Sequence, residues 1–128
     1  MEPLKIEATK ITPHILFDTG ANLLSIRGDS YPENAIKFYH PLISALEGHL
    51  KNAPAAPLQV DIEIAYFNSS SSKILMDLFY LFEEATGEGW RVIVNWRYHV
   101  DNDIALEYGK EFQLDITSLE FNLVAFGA

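Results

Sequence analysis

The stretch from Leu58 to Phe79, LQVDIEIAYFNSSSSKILMDLF, decides the fold class because two different periodicities meet in it. Its first half alternates, with Val60, Ile62 and Ile64 apolar on one side, and a period of two residues predicts a β-strand. After the serines, apolar residues recur at helical spacing, which predicts an α-helix. A strand that passes directly into a helix is typical of βαβ units, so we predict an α/β protein.

The segments on both sides extend this pattern. Before it, LKIEATK is a strand, and two apolar runs joined by TGAN predict a hairpin. After it, a strand, a helix and a last strand follow. The predicted order is β-β-β-α-β-α-β-α-β, which implies one mixed sheet with an N-terminal hairpin and helices packed on it. The apolar ending of the central strand, residues 65–67, predicts that both faces are covered there.

A further helix is predicted between the hairpin and the central strand. Ser30 and Glu33 fit the S-x-x-E capping box, in which each side chain accepts a hydrogen bond from the other residue's amide. Pro41 should bend this helix or split it near His40. The apolar stripe expected to face the core consists of Ile36, Tyr39, Ile43, Leu46 and Leu50.

Composition excludes several classes of function. The 128 residues favour one domain spanning residues 1–128. A net charge of −9 without adjacent basic residues argues against nucleic acid and against an anionic membrane surface as partners. The absence of cysteine and of an N-terminal signal pattern predicts a cytoplasmic protein. The four histidines lack the spacing of a metal site, so we predict neither metal nor cofactor.

The four consecutive serines, residues 69–72, are more than a turn or a helix cap requires. A catalytic serine needs a base and an oxyanion hole, and the G-x-S-x-G motif is absent. A small serine-dependent hydrolase and an unmodified structural subunit both remain alternatives. A phosphorylation site is the third interpretation, because the free amides and the positive end of the helix dipole tolerate a phosphate there. Asn68 or Ser69 would cap the helix, and Lys73 would pair with the phosphate.

Four motifs resemble the SiaC family of bacterial regulatory phosphoproteins: GDSYPENA at 28–35, F-Y-x-P-L-I at 38–43, YFNSSSSK at 66–73 and MDLF-x-L-x-E-E-A at 76–85. The clear motifs extend from about Leu23 to Tyr98. That family is similar in fold to STAS domains, the anti-sigma factor antagonists. The resemblance therefore implies a single STAS-like domain that is regulatory and is not an enzyme.

The resemblance also implies partner switching. A dedicated serine/threonine kinase would phosphorylate the protein and a PP2C-type phosphatase would reverse the modification. The unmodified form would bind and activate an output protein such as a diguanylate cyclase, raising cyclic di-GMP. The acceptor implied by the motif is Ser69, with Ser70 as the alternative, and Asn68, Ser70 and Lys73 would support the phosphate.

A second group of residues is predicted to lie beside the acceptor. If the strands ending near residues 28 and 67 are parallel, GDSYPENA and NSSSSK lie at the same edge of the sheet. We expect kinase and output protein to bind a rim formed by Asp29, Ser30, Tyr31, Glu33 and Asn34. The alternative is that Ser30 and Glu33 only cap their helix.

Overall fold

The order of strands and helices predicted from the sequence is confirmed by a computed structural model, which describes residues 2–127. The described elements are β1 Leu4–Ile6, β2 His14–Asp18, β3 Leu23–Ser30, α1 Ala35–Leu50, β4 Leu58–Phe67, α2 Ser69–Gly87, β5 Val92–His99, α3 Asp103–Asp115 and β6 Glu120–Phe126.

The six strands form one mixed sheet in the order β1-β2-β3-β4-β5-β6. β1, β2 and β3 pair antiparallel, so the predicted hairpin is present, whereas β3, β4, β5 and β6 are parallel. Each helix connects two neighbouring parallel strands, and every connection advances in the same direction. Because such crossovers are right-handed, α1, α2 and α3 all lie on one face of the sheet.

This topology brings the ends of the parallel strands and the starts of the helices to one edge, which we call the carboxyl edge. All three helices begin there with an asparagine cap. The side-chain oxygens of Asn34, Asn68 and Asn102 each accept the amide of the residue three positions later, at 3.0 Å. Asn102 also donates its side-chain amide to the carbonyl of Ala65 at 3.0 Å, which joins the start of α3 to the end of β4.

The helix-covered face of the sheet carries the core, and the opposite face is polar. Trp96 is fully buried under α3 and donates its indole N–H to the carbonyl of Ala105 at 2.9 Å. On the opposite face, Asn122 donates to the side-chain oxygen of Asn95 at 3.1 Å, and Asn95 donates to Asp61 at 2.9 Å. Within residues 2–127 no helix covers this second face, and polar side chains run across its middle.

The end of β4 and the course of α1 differ from the predictions. Ala65 and Tyr66 are exposed, so only Phe67 of the apolar ending is covered. α1 is one helix through Pro41, so the predicted split near His40 is wrong, and the alternative, a bend, stays a prediction. Its buried stripe differs at two positions, because Ala35 and Leu42 are buried where Ile36 and Ile43 were predicted. Ile36 is 73% exposed, Ile43 and Leu50 are half-buried, and Tyr39 and Leu46 are buried as predicted.

At the edge opposite the carboxyl edge, the last turn of α1 packs on the hairpin turn. The ring nitrogen Nε2 of His49 lies 2.7 Å from Oδ1 of Asn22. The imidazole also contacts the rings of Phe17 and Trp90, with centroids 5.5 Å and 5.3 Å away. His49 therefore joins α1, the hairpin and the start of β5.

Candidate functional site

The first turn of α2 contains the serine run and begins directly after β4. Besides accepting the Ser71 amide, the carboxamide oxygen of Asn68 lies 3.3 Å from the hydroxyl of Ser70, which donates to it. The carbonyl of Asn68 accepts the amide of Ser72 at 3.0 Å. Asn68 is thus the cap, as predicted, and Ser69 is the first helical residue.

The helical period gives the serines different environments. Ser69 and Ser70 are exposed, Ser72 is half-buried and Ser71 is completely buried. Ser71 faces inward on the same side as Ile74 and the rest of the core stripe of α2. A macromolecule approaching the folded protein can therefore reach the hydroxyls of Ser69 and Ser70, but not that of Ser71.

A chain of buried hydroxyl groups lies behind the exposed serines. The hydroxyls of Ser30 and Tyr39 are 2.6 Å apart, and Ser30 donates to the hydroxyl of Ser71 at 2.9 Å. Burial raises the pKa of Tyr39 to about 12, although the hydrogen bond with Ser30 opposes this rise. The chain ties the end of β3 to both α1 and α2, and it accounts for a buried serine in a helix stripe that is otherwise apolar.

The predicted capping box of Ser30 and Glu33 is wrong. β3 continues through Ser30, whose side chain has no exposed area and bonds Tyr39 and Ser71 instead. Asn34 caps α1 by accepting the amide of Lys37. Ser30 therefore cannot belong to an exposed rim, and Asn34 has a structural role as well as an exposed position.

The remaining rim residues do lie beside the serines at the carboxyl edge. The amide of Asn68 donates to the carbonyl of Ser30 at 3.1 Å, and its side-chain amide donates to the carbonyl of Pro32 at 3.4 Å. The rings of Tyr31 and Tyr66 meet edge to face, 5.3 Å apart. The loop that carries Tyr31, Glu33 and Asn34 is therefore held against the start of α2, with Asp29 half-buried at its base.

Exposed apolar residues are concentrated at the same edge, which the sequence analysis did not predict. Among residues 2–127, nine large apolar side chains are exposed, and seven of them lie at this edge: before β2, at or just after the end of β3, β4 or β5, or in the first two turns of α1 or α3. We call these seven the apolar rim: Ile11, Tyr31, Ile36, Tyr66, Val100, Ile104 and Tyr108. For Tyr31, Tyr66, Ile36, Val100 and Ile104, a position near a strand end or in a first helical turn was the available signal.

Lys73 is exposed on α2 and lies four residues after Ser69 and three after Ser70. Residues at these spacings are neighbours on a helix surface. Within the described part of the chain Lys73 forms no ion pair. Its ammonium group is therefore free to approach an anion attached to either serine.

Neither exposed serine has the surroundings of a hydrolytic nucleophile. Across residues 2–127 no histidine is hydrogen-bonded to Ser69 or Ser70, since the histidine contacts involve Asn22, Ser44 and Asp101. The same residues contain no group of three or more side chains suited to hold a metal ion. No helix in the described range is long and apolar enough to cross a membrane. The site thus consists of two exposed serine hydroxyls at a helix start beside a group of exposed apolar side chains.

The family model described as "SiaC family regulatory phosphoprotein" matches residues 6–126. An uncharacterized protein of Pseudomonas aeruginosa (strain UCBPP-PA14) is 38% identical over 115 residues, which is 90% of each chain.

Solved structures from the same organism are similar over nearly their whole length. The crystal structure of apo-SiaC from Pseudomonas aeruginosa has a TM-score of 0.83 at 35% identity, covering 99% of this chain and 100% of the other. SiaC in the crystal structure of the diguanylate cyclase SiaD with its activator SiaC has a TM-score of 0.90 at 36% identity, covering 96% and 99%. The chain described here belongs to the SiaC family of regulatory phosphoproteins.

Proposed function

We propose that this protein is a partner switch controlled by reversible phosphorylation of Ser69. A serine/threonine kinase adds the phosphate and a PP2C-type phosphatase removes it. The unmodified protein binds an output protein through the apolar rim, which includes Tyr31, and through the neighbouring residues Asp29, Glu33 and Asn34. The observation that carries this proposal is the exposed hydroxyl of Ser69 at a capped helix start inside an apolar surface.

The start of α2 can accept a phosphate without unfolding. The Ser71 amide already donates to the side chain of Asn68, but the amides of the first helical residues remain free to bind an anion. The positive end of the helix dipole favours negative charge at this position. Lys73, one helical turn away from Ser69, adds an ammonium group. The phosphate would therefore change the surface more than the fold.

Phosphorylation would weaken partner binding at the apolar rim. A phosphoserine carries about −1.5 to −2 charges and three acceptor oxygens. A partner that covers Tyr31 and Tyr66 would have to take this dianion out of water, and desolvating an unpaired charge is costly. The same surface could bind the kinase, which must reach the serine in any case.

Ser69 is the better acceptor of the two exposed serines. The hydroxyl of Ser70 donates to Asn68 at 3.3 Å, and this bond would have to break before phosphate transfer. No side-chain hydrogen bond of the Ser69 hydroxyl is present among the described residues. Ser70 is retained as the alternative acceptor because its exposure is similar.

The proposed output partner is a diguanylate cyclase. SiaC of Pseudomonas aeruginosa, which this chain resembles at a TM-score of 0.90, is the activator of the cyclase SiaD. By this likeness the unmodified protein would raise cyclic di-GMP in the cytoplasm while catalysing no reaction itself. We also propose the likeness to STAS domains, which rests on a serine at the start of a helix that follows a central strand.

The modification is tested by intact-mass and fragment mass spectrometry on the protein isolated from its own cells under several growth conditions. We expect one added phosphate on Ser69, absent from Ser69→Ala and present in the matched variant Ser72→Ala. Phosphate found only on Ser70 would show that Ser70, and not Ser69, is the acceptor. Absence of phosphate under every condition would refute the switch.

The effect on output is tested by measuring cyclic di-GMP in cells that carry variants of the protein. Ser69→Ala should keep the level high, whereas Ser69→Glu should lower it only partly, because a carboxylate has less charge than a phosphate. Tyr31→Ala and Tyr66→Ala should lower it without changing the melting temperature, and Tyr80→Ala, on the exposed side of α2, should not. Equal effects of all three tyrosine variants would contradict the apolar rim as the binding surface.

A further inference from the structure

A groove separates the carboxyl-terminal halves of α1 and α2, away from the serines. It consists of two depressions of about 670 Å³ and about 250 Å³ that share Glu47, Leu81 and Glu84. Glu84 lies fifteen residues after Ser69 on the same helix, and a rise of about 1.5 Å per residue separates them by roughly 22 Å. The groove is therefore a different surface from the apolar rim.

The floor of the groove is apolar and its walls are acidic. Ile43, Leu50, Leu81 and Trp90 form the floor. The walls carry four carboxylates, Glu47, Asp77, Glu84 and Glu88, and a single basic residue, Lys51. Each helix contributes to both the floor and the walls.

The four wall carboxylates outnumber the one basic residue of the groove, Lys51. None of them takes part in an ion pair within residues 2–127, whereas Glu63, Glu107 and Glu120 elsewhere each pair with an arginine or a lysine. Like charges around an apolar strip repel one another, and a positively charged occupant would relieve that repulsion. The groove therefore favours a ligand that is apolar along its centre and basic along its sides.

We propose that this groove binds a basic amphipathic helix of another protein. The span from Asp77 to Gly87 is about 15 Å at the helical rise, which matches roughly three turns of a docked helix. Nucleic acid and anionic membranes would be repelled by the carboxylates. A second copy of this chain is a poor occupant as well, because the protein has a net charge of −9.

The test uses the full chain and a fluorescein-labelled synthetic peptide of roughly four helical turns, with leucines on one face and lysines beside them. Fluorescence anisotropy measures its binding, and a twin peptide with glutamates in place of the lysines measures non-specific adhesion. We expect Glu47→Lys/Glu84→Lys to weaken binding of the lysine peptide by about tenfold or more, which is ~1.4 kcal/mol. The matched variant Glu111→Lys/Asp115→Lys changes the net charge equally on α3 and should bind nearly as wild type.

A second pair of variants tests the apolar floor. Leu81→Ser should also weaken binding, whereas Leu114→Ser on the exposed side of α3 should not. If Leu81→Ser lowers the melting temperature strongly, its weaker binding would reflect unfolding, and the two charge variants alone test the proposal. Equal weakening by both charge variants, or equal binding of the glutamate peptide, would overturn the proposal. Ser69→Glu should leave peptide binding unchanged, so this result is independent of the phosphorylation proposed above.

Discussion

Hydrogen bonds between single hydroxyl groups anchor the buried side of the serine run. Ser71 lies on the buried side of α2, where Ser30 donates a hydrogen bond to it and Tyr39 is bonded to Ser30 in turn. An unsatisfied buried hydroxyl costs about 1–3 kcal/mol, so this chain stabilises one orientation of the first turn of α2. The exposed serines face outward as a consequence of that orientation.

Replacing Tyr39 by phenylalanine tests this hydroxyl chain. Near neutral pH, Tyr39→Phe should lower the free energy of unfolding by about 1 kcal/mol, because Ser30 loses one partner. Denaturant unfolding measures the change. The exposed residue Tyr80 provides the matched control, and Tyr80→Phe should have little effect.

Tyr39→Phe should also change how much stability the protein loses at alkaline pH. The pKa of Tyr39 is raised from 10.0 to about 12, so the unfolded chain releases this proton before the folded protein does. The stability linked to this group is therefore complete below pH 10 and is lost as the pH rises through 12. Unfolding curves between these limits should show a smaller alkaline loss for Tyr39→Phe than for Tyr80→Phe.

Packing between α3 and the sheet depends on a glycine in the middle of the helix. A β-carbon at Gly109 would lie 2.5 Å from the Trp96 ring and 2.8 Å from Leu123. Gly48, by contrast, lies in α1, where a β-carbon would have no neighbouring atom within 4 Å. Both glycines lie within helices, Gly109 at the middle of α3 and Gly48 in the last turn of α1, and their surroundings are opposite, so they separate helix propensity from close packing.

We expect Gly109→Ala to destabilise the protein and Gly48→Ala to stabilise it. Alanine in a helix interior is favoured over glycine by about 1 kcal/mol, and part of this gain should appear at Gly48 in the last turn of α1. At Gly109 the clash with the fully buried indole should outweigh it, since overpacking typically costs about 1–3 kcal/mol. Thermal unfolding measures both variants, and a stabilising Gly109→Ala would show that α3 can move away from the sheet.

The elements could be predicted from the sequence because their signals are local. Strand alternation in residues 58–67 and the helical spacing after it depend only on near neighbours, and the structure confirms both. The role of Ser30 could not be predicted, because its partner Ser71 is 41 positions away and no local pattern indicates that contact. The exposure of Ile36 escaped prediction for a similar reason, since the direction in which α1 faces the sheet is set by tertiary packing.

Some features of the candidate site likewise follow from local sequence, and others depend on tertiary packing. Asn68 as cap and the exposure of Ser69 follow from the local rules of helix starts. The apolar rim required the strand order, which brings together residues as far apart as Ile11 and Tyr108. The groove between α1 and α2 likewise exists only once two helices lie side by side on one face.

At the scale of the whole molecule, a histidine makes stability depend on pH. Burial against Phe17 and Trp90 lowers the pKa of His49 below its ordinary value of 6.5. As the pH falls, the unfolded chain therefore binds this proton before the folded protein does. The stability linked to His49 is complete above pH 6.5 and is lost as the pH falls through the folded pKa.

The pH dependence is checked with His49→Gln, which keeps a donor for Asn22. Its melting temperature should fall less between pH 7 and pH 5 (roughly the range in which an ordinary histidine titrates) than that of the wild type. His40→Gln, at an exposed position in the same helix, should retain the wild-type slope. A wild-type slope in His49→Gln would assign the acid sensitivity to other groups.

The asparagine-capped starts of α1, α2 and α3 have an electrical consequence for approaching molecules. Each helix start carries a partial charge of about +0.5, and all of these lie at one end of a protein whose net charge is −9. The electric field of a charged partner would exert a torque on a protein whose charge is separated in this way. Collisions would then occur preferentially with one end forward. Salt at about 0.15 M would weaken this preference, because it screens the field beyond about 8 Å.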